Sequence, residues 1–254
     1  MDNVYTMLFL YGVFVVAPIV LWFYFFRWKD RGEPEPKKML FWIFVLGMGS
    51  AFASVFLESF FDRVFFGRDI FSEDMAFDRK EVLSFSLIAS YVVASAIEEI
   101  VKFYFLKSAI YHSKNFTQII DGVVYGISLA LGFSFVENSG YFYAILSSDY
   151  PAMERVSAVF LRALLPLLLH ITATGICGYY LGKKKFTEKH SSLWLWKGLF
   201  LAILLHSVFN VSLVFESSSG FLVSICVLIM FLLFLLRKVS LPESKMVWKL
   251  VYRK

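Results

Sequence analysis

Seven stretches of the chain are each long and apolar enough to be read as bilayer-crossing helices: Val4–Phe26, Met39–Phe61, Val82–Leu106, Gly122–Leu146, Val156–Leu181, Leu193–Phe215 and Phe221–Leu236. A helix rises 1.5 Å per residue, so about 20 mostly apolar residues cross the hydrocarbon core. The last stretch is the shortest of the set, at about 16 residues by the same ruler. Composition agrees: 59% of the 254 residues are hydrophobic and 18% charged, against roughly 45–50% and about 25% in soluble domains. A water-soluble globule, a disordered tail and a disulfide scaffold are poor fits. The expected fold is all-α, a polytopic membrane protein, with residues 1–254 as one integral domain and a core at about 82–215.

The net charge of +5 is better explained by Lys- and Arg-rich inner loops than by a nucleic-acid partner. With the N-terminus outside, 17 Lys and Arg residues fall in inside segments and 5 in outside segments. That bias orients the chain N-terminus out and C-terminus in. The first block has no basic residue before it and no small-x-small site after it, so it is not expected to be a cleaved signal. The loop from Asp62 to Glu81 mixes acids and bases and suits either an amphipathic lid or a solvated connector. Cys177 and Cys226 lie within apolar blocks, without zinc-finger spacing or a disulfide framework.

The informative residues are the polar side chains inside the apolar blocks and the motif positions beside them. The third block carries Glu98, Glu99 and Lys102; the fourth, Phe133, Glu137 and Asn138; the fifth, His170; the sixth, His206 and Asn210. A charge at the centre of a membrane helix costs about 2.5–3.5 kcal/mol on insertion scales. Four helices bearing such groups therefore gain by turning them toward one another around a wet cavity. Helical spacing lets Lys102 reach either glutamate, at i,i+4 and i,i+3. It also puts His206 and Asn210 on one face, where the amide would fix the imidazole tautomer. Arg162 and Glu58 lie near outer helix ends and are expected to snorkel to the interface.

These motifs resemble the PrsW family of intramembrane proteases, related to the CAAX-processing and bacteriocin-immunity superfamily. The family's E-E-x-x-K helix matches Glu98-Glu99-Ile-Val-Lys102, its F-x-x-x-E helix Phe133-Ser-Phe-Val-Glu137, and its H-x-x-x-D/N pattern His206-Ser-Val-Phe-Asn210. Arg162-Ala-Leu-Leu-Pro166 before His170, Asp121-Gly-Val-Val-Tyr-Gly126 and Asp30-Arg-Gly-Glu-Pro-Glu-Pro36 also look like the family. The resemblance implies catalytic roles for Glu98, Glu99 and His206, further active-site positions at Glu137 and His170, and support from Lys102, Asn210, Asn138 and Phe133. Two departures stand out. Glu137 replaces the histidine of the CAAX enzymes, and Asn210 the aspartate of some PrsW members.

The expected activity is endopeptidase cleavage, in the cell membrane, of a membrane-anchored regulator such as an anti-sigma factor. Glu98 or Glu99, with His206, would activate a water; His170 or Asn210 would stabilise the oxyanion. No cofactor is required on this reading. Zinc held by His170, His206 and Glu137 is the alternative within the class. A proton-coupled transporter using the same residues as a relay, and a catalytically silent scaffold, are alternatives from other classes.

Overall fold

The computed structural model describes residues 4–29, 35–67, 85–187, 192–214 and 218–240. Among them every regular element is helical. Helix α1 (Val4–Tyr11), a π-helical turn (Gly12–Val16) and α2 (Ala17–Lys29) follow one another without a break. Next come α3 (Lys37–Phe66), α4 (Phe85–Ile110), α5 (Ile119–Leu146), α6 (Ala152–Phe186), α7 (Leu193–Val214) and α8 (Ser218–Ser240). Each expected apolar block coincides with helix. Residues 82–84, 215 and 68–81 lie outside the described residues, and with them the start of the third block, the end of the sixth and most of the expected lid.

Five described segments are long and apolar enough to cross a membrane: Val4–Trp28, Lys37–Phe65, Ile119–Leu146, Ala152–Phe186 and Leu193–Leu213. Two of the expected seven are weaker by composition or length. Helix α4 has 26 residues, but Glu98, Glu99, Lys102 and Lys107 interrupt its apolar character. The apolar run of α8, Leu222–Arg237, is short. The chain is a multi-pass helical membrane protein.

Helix α5 is the hub. From Asp121 to Ser134 every residue is buried, so it lacks a lipid-facing side over nearly four turns. Helices α3 and α6 pack on it. Contacts of α6 with α7, α7 with α4, and α4 with α3 complete a ring of five helices, with α8 against α6 and α7. The interior of that ring receives the polar side chains.

Close approach of α5 and α6 depends on glycine. A Cβ on Gly178 would collide with the Gly122 carbonyl, and one on Gly122 with that of Gly178. With no hydrophobic drive between helices in lipid, such small-residue seams permit the packing that holds them. Gly178→Leu is therefore expected to lower the thermal midpoint of the detergent-solubilised protein sharply, overpacking by about 1–3 kcal/mol or more. Gly140→Ala, where an added Cβ meets nothing within 4 Å, is the control expected to leave it unchanged.

The ends of the hub are pinned as well. Asp121 accepts hydrogen bonds from the Thr117 and Gln118 backbone N–H groups at 2.7 and 2.8 Å, which caps α5. Glu35, buried, accepts from the Tyr125 hydroxyl, while Arg27 donates to the Glu35 carbonyl at 2.8 Å. These bonds tie the α2–α3 connection to α5. Residues 30–34, most of the Asp30–Pro36 motif, lie outside the described residues.

Candidate active site

Glu98, Glu99 and Lys102 come from α4, Phe133 and Glu137 from α5, Arg162 and His170 from α6, and His206 from α7. Sequence spacing places the first three on adjoining faces, and the ring closes the rest around them. The Lys102 ammonium is the centre. It donates to Glu99 Oε1 at 2.6 Å, to Glu98 Oε2 at 3.3 Å and to His170 Nδ1 at 3.0 Å. Its Nζ also lies 4.2 Å from the centre of the Phe133 ring, within cation–π range.

Hydrogen-bonding capacity assigns both imidazoles. An ammonium can only donate, so His170 Nδ1 accepts and its Nε2–H donates to Glu137 Oε2 at 2.6 Å. An ionised Glu99 can only accept, so the His206 Nδ1–H donates to its Oε1 at 2.8 Å. The His206 Nε2 lone pair then lies 3.9 Å from Glu98 Oε2. The two rings meet edge to face at 5.2 Å.

Glu98 differs from its neighbours. Its residue exposure is 8%, against 0% for Glu99 and Lys102, 1% for His170 and 2% for His206. Its contacts are also the longest: 3.3 Å to Lys102 and 3.9 Å to each histidine. Glu99 is clamped from two sides, although its Oε2 is buried without a partner.

Several expectations change in three dimensions. Arg162 does not snorkel. It binds Glu137 Oε1 at 2.5 Å and stacks on Tyr141 with its guanidinium carbon 3.5 Å from the ring centre. Glu58 does not snorkel either: its Oε1 is buried with no hydrogen-bond partner, within through-space reach of the Glu137 and Lys102 charges. Asn210 does not set the His206 tautomer; it donates to Ser95 Oγ at 3.1 Å. Asn138 is buried with Oδ1 unpartnered, and no hydrogen bond joins it to the cluster.

A signal for each missed residue was present in the chain. Glu137 and Tyr141 are i,i+4 and together form the seat for Arg162. Glu58 belongs to a polar series, Ser50, Ser54, Glu58 and Asp62, repeating every fourth residue of a largely apolar helix.

One ligand atom from each of Glu98, Glu99, His170 and His206 lies within 4.8 Å of the others. Two imidazoles and two carboxylates, one of them with its Oε2 unpartnered, form a donor set of the kind that holds a divalent cation such as zinc once Lys102 releases His170 Nδ1. Glu137, expected among the ligands, is placed otherwise. It holds the far nitrogen of His170, as carboxylates behind a ligating histidine do.

The chain resembles known proteins over most of its length. Residues 35–236 match the family model described as PrsW family intramembrane metalloprotease. A protein named Protease PrsW from Halalkalibacterium halodurans is 33% identical over 62% of this chain and 69% of its own. Its namesake in Clostridioides difficile is 30% identical over 79% and 78%, and that of Bacillus subtilis 29% identical over 77% and 78%. No solved structure gives a significant match. With four helices contributing one buried Glu/Lys/His cluster and most of the chain matching the family, this protein is a member of the PrsW family of intramembrane proteases.

Proposed function

We propose that the chain hydrolyses a peptide bond of a membrane-anchored protein, in the cell membrane, with water activated by Glu98 and His206. The observation that carries this reading is the 3.9 Å separation between Glu98 Oε2 and His206 Nε2, two acceptors facing each other in a buried site. A water about 2.8 Å from each would donate one hydrogen to each. Its oxygen lone pairs would then point at a substrate carbonyl.

Glu98 takes the proton as the water oxygen bonds to the carbonyl carbon, and the carbonyl π electrons move to oxygen. Protonation weakens the Lys102–Glu98 contact, the longest of the three Lys102 makes. An ammonium N–H is thereby released for the oxyanion as it develops. Both ring nitrogens of His170 are already engaged, so its part is to hold Lys102 rather than to donate to substrate. The second Nδ2 hydrogen of Asn210, one turn beyond His206 and with its amide already donating to Ser95, is a further donor. Collapse of the adduct breaks the C–N bond, and Glu98 passes its proton to the leaving nitrogen. The remaining hydroxyl proton of the new acid, held by His206 Nε2, passes to the amine, so the products are a carboxylate and an ammonium.

Lys102 supplies a fixed positive charge among the carboxylates, and on this reading no metal is required. The four-residue donor set supports a second reading in which Glu98, Glu99, His170 and His206 hold zinc. When bound, zinc would polarise the carbonyl and acidify a water. The transporter alternative is less favoured, since the geometry is that of a closed cluster and the family is one of proteases. The regulator expected as substrate is an anti-sigma-factor-like, single-span protein, and the N-terminus is proposed to lie outside.

Co-expression with a tagged single-span anti-sigma factor tests the activity. Wild type is expected to release a fragment and His206→Ala to release none; equal release by both removes the mechanism. Purified wild type is expected to keep its activity after chelation and dialysis. Loss on chelation with recovery on adding zinc overturns the metal-free form in favour of the second reading.

A further inference from the structure

The polar stripe of α3 is not used by the mechanism. Ser50 donates to the Gly47 carbonyl at 2.7 Å, and Asp62 accepts from Ser90 of α4 at 2.8 Å. Between them, Ser54 Oγ and Glu58 Oε1 are both buried with no hydrogen-bond partner. A carboxylate oxygen cut off from water and left unpaired is costly, and in a native site that calls for a partner.

The charges around Glu58 narrow the identity of that partner. Glu137 and Asp62 act on it through space as like charges and Lys102 as the opposite one, and Glu58 acts in turn on Glu98. Lys102 is committed to Glu99, Glu98 and His170, and Arg162 to Glu137. Four carboxylates, Glu58, Glu98, Glu99 and Glu137, thus share two fixed cations. A neutral donor would satisfy Oε1 and leave the excess of acid; a cation satisfies both. Glu58 is half-buried within a membrane helix, so the group that reaches it needs an apolar stem. Lysine and arginine side chains have that form.

We propose that Glu58 is a specificity-determining residue of the same site, binding a lysine or arginine side chain of the substrate close to the scissile bond. The proposal rests on the protease reading above. Glu58 touches the substrate side chain and takes no part in bond making or breaking. Its loss therefore acts on selection among substrates, through KM, rather than on the chemical step.

The test uses the full-length protein in proteoliposomes and quenched-fluorescent single-span peptides. These differ only at one residue, which is lysine, norleucine or glutamate, walked position by position across the cut. At one position wild type is expected to favour lysine over norleucine by about ten- to hundredfold in kcat/KM, the worth of a charge-assisted hydrogen bond. Glu58→Gln is expected to bring that ratio near one with kcat little changed. Glu58→Lys is expected to invert the preference toward glutamate, which a merely structural role would not produce. An unaltered lysine-to-norleucine ratio in Glu58→Gln overturns the proposal, as does a uniform loss of kcat across all peptides, the mark of a proton-transfer role. In both cases the protease reading stands. Failure of wild type to cut any peptide removes both.

Discussion

Glu98→Gln is expected to lower kcat for peptide cleavage by about 10²–10⁴-fold, the usual worth of a positioned general base. KM and thermal stability should change little. The amide keeps the shape of the side chain and removes its capacity to take a proton. Few native contacts are at stake, since Glu98 makes one hydrogen bond, of 3.3 Å, to Lys102.

Glu99→Gln should behave differently. Glu99 Oε1 accepts from both Lys102 and His206, at 2.6 and 2.8 Å, so its loss disturbs the position of two groups and the melting temperature along with the rate. Comparing kcat with thermal midpoint for the two variants separates base from clamp. Retention of more than about a tenth of wild-type kcat by Glu98→Gln would sink the assignment, because general-base removal costs at least about a hundredfold.

Lys102→Met is expected to give the largest stability loss of any single substitution in the site. The lysine is fully buried, and its ammonium is shared by Glu98, Glu99 and His170. Methionine has nearly the same length and fills the space, which isolates the charge as the variable. Removing one partner of a buried ion pair costs about 3–5 kcal/mol, mostly by stranding the other charge. Here two carboxylates are stranded.

If that is the cause, neutralising one of them relieves it. The double variant Lys102→Met/Glu99→Gln should recover much of the thermal midpoint while remaining inactive, because no ammonium is left for the oxyanion. Unfolding of purified proteins in one detergent, monitored by tryptophan fluorescence, provides the comparison. A single variant that melts with wild type would show that the network adds nothing to stability.

Much of the architecture was legible from the chain. The apolar blocks mark helices, since a bilayer leaves backbone groups to pair with one another. The ionisable groups within them mark the buried cluster, because a lone intramembrane charge is too costly to face lipid. Glu98, Glu99, Lys102, His170 and His206 were all identifiable on that ground.

Arg162 and Glu58 turn inward for a related reason. Position near a helix end is compatible with snorkelling outward or with reaching inward, and only the neighbour chooses. Tyr141 and Glu137 on α5 form a seat for Arg162, and no property of α6 alone reveals it. The same holds for Asn210, which faces Ser95 of α4 rather than the histidine one turn before it.

The chain by itself therefore determined which residues are helical and which cannot be left in lipid, because those are energies of single residues and of neighbours three or four positions apart. Tertiary structure decided who pairs with whom. The close approach of α5 and α6 at Gly122 and Gly178, and the ring that brings α7 against α4, place His206 on Glu99 and Lys102 on His170. Those pairings depend on how helices cross, and crossing is set by surface shape summed over whole helix faces rather than by the spacing of any motif.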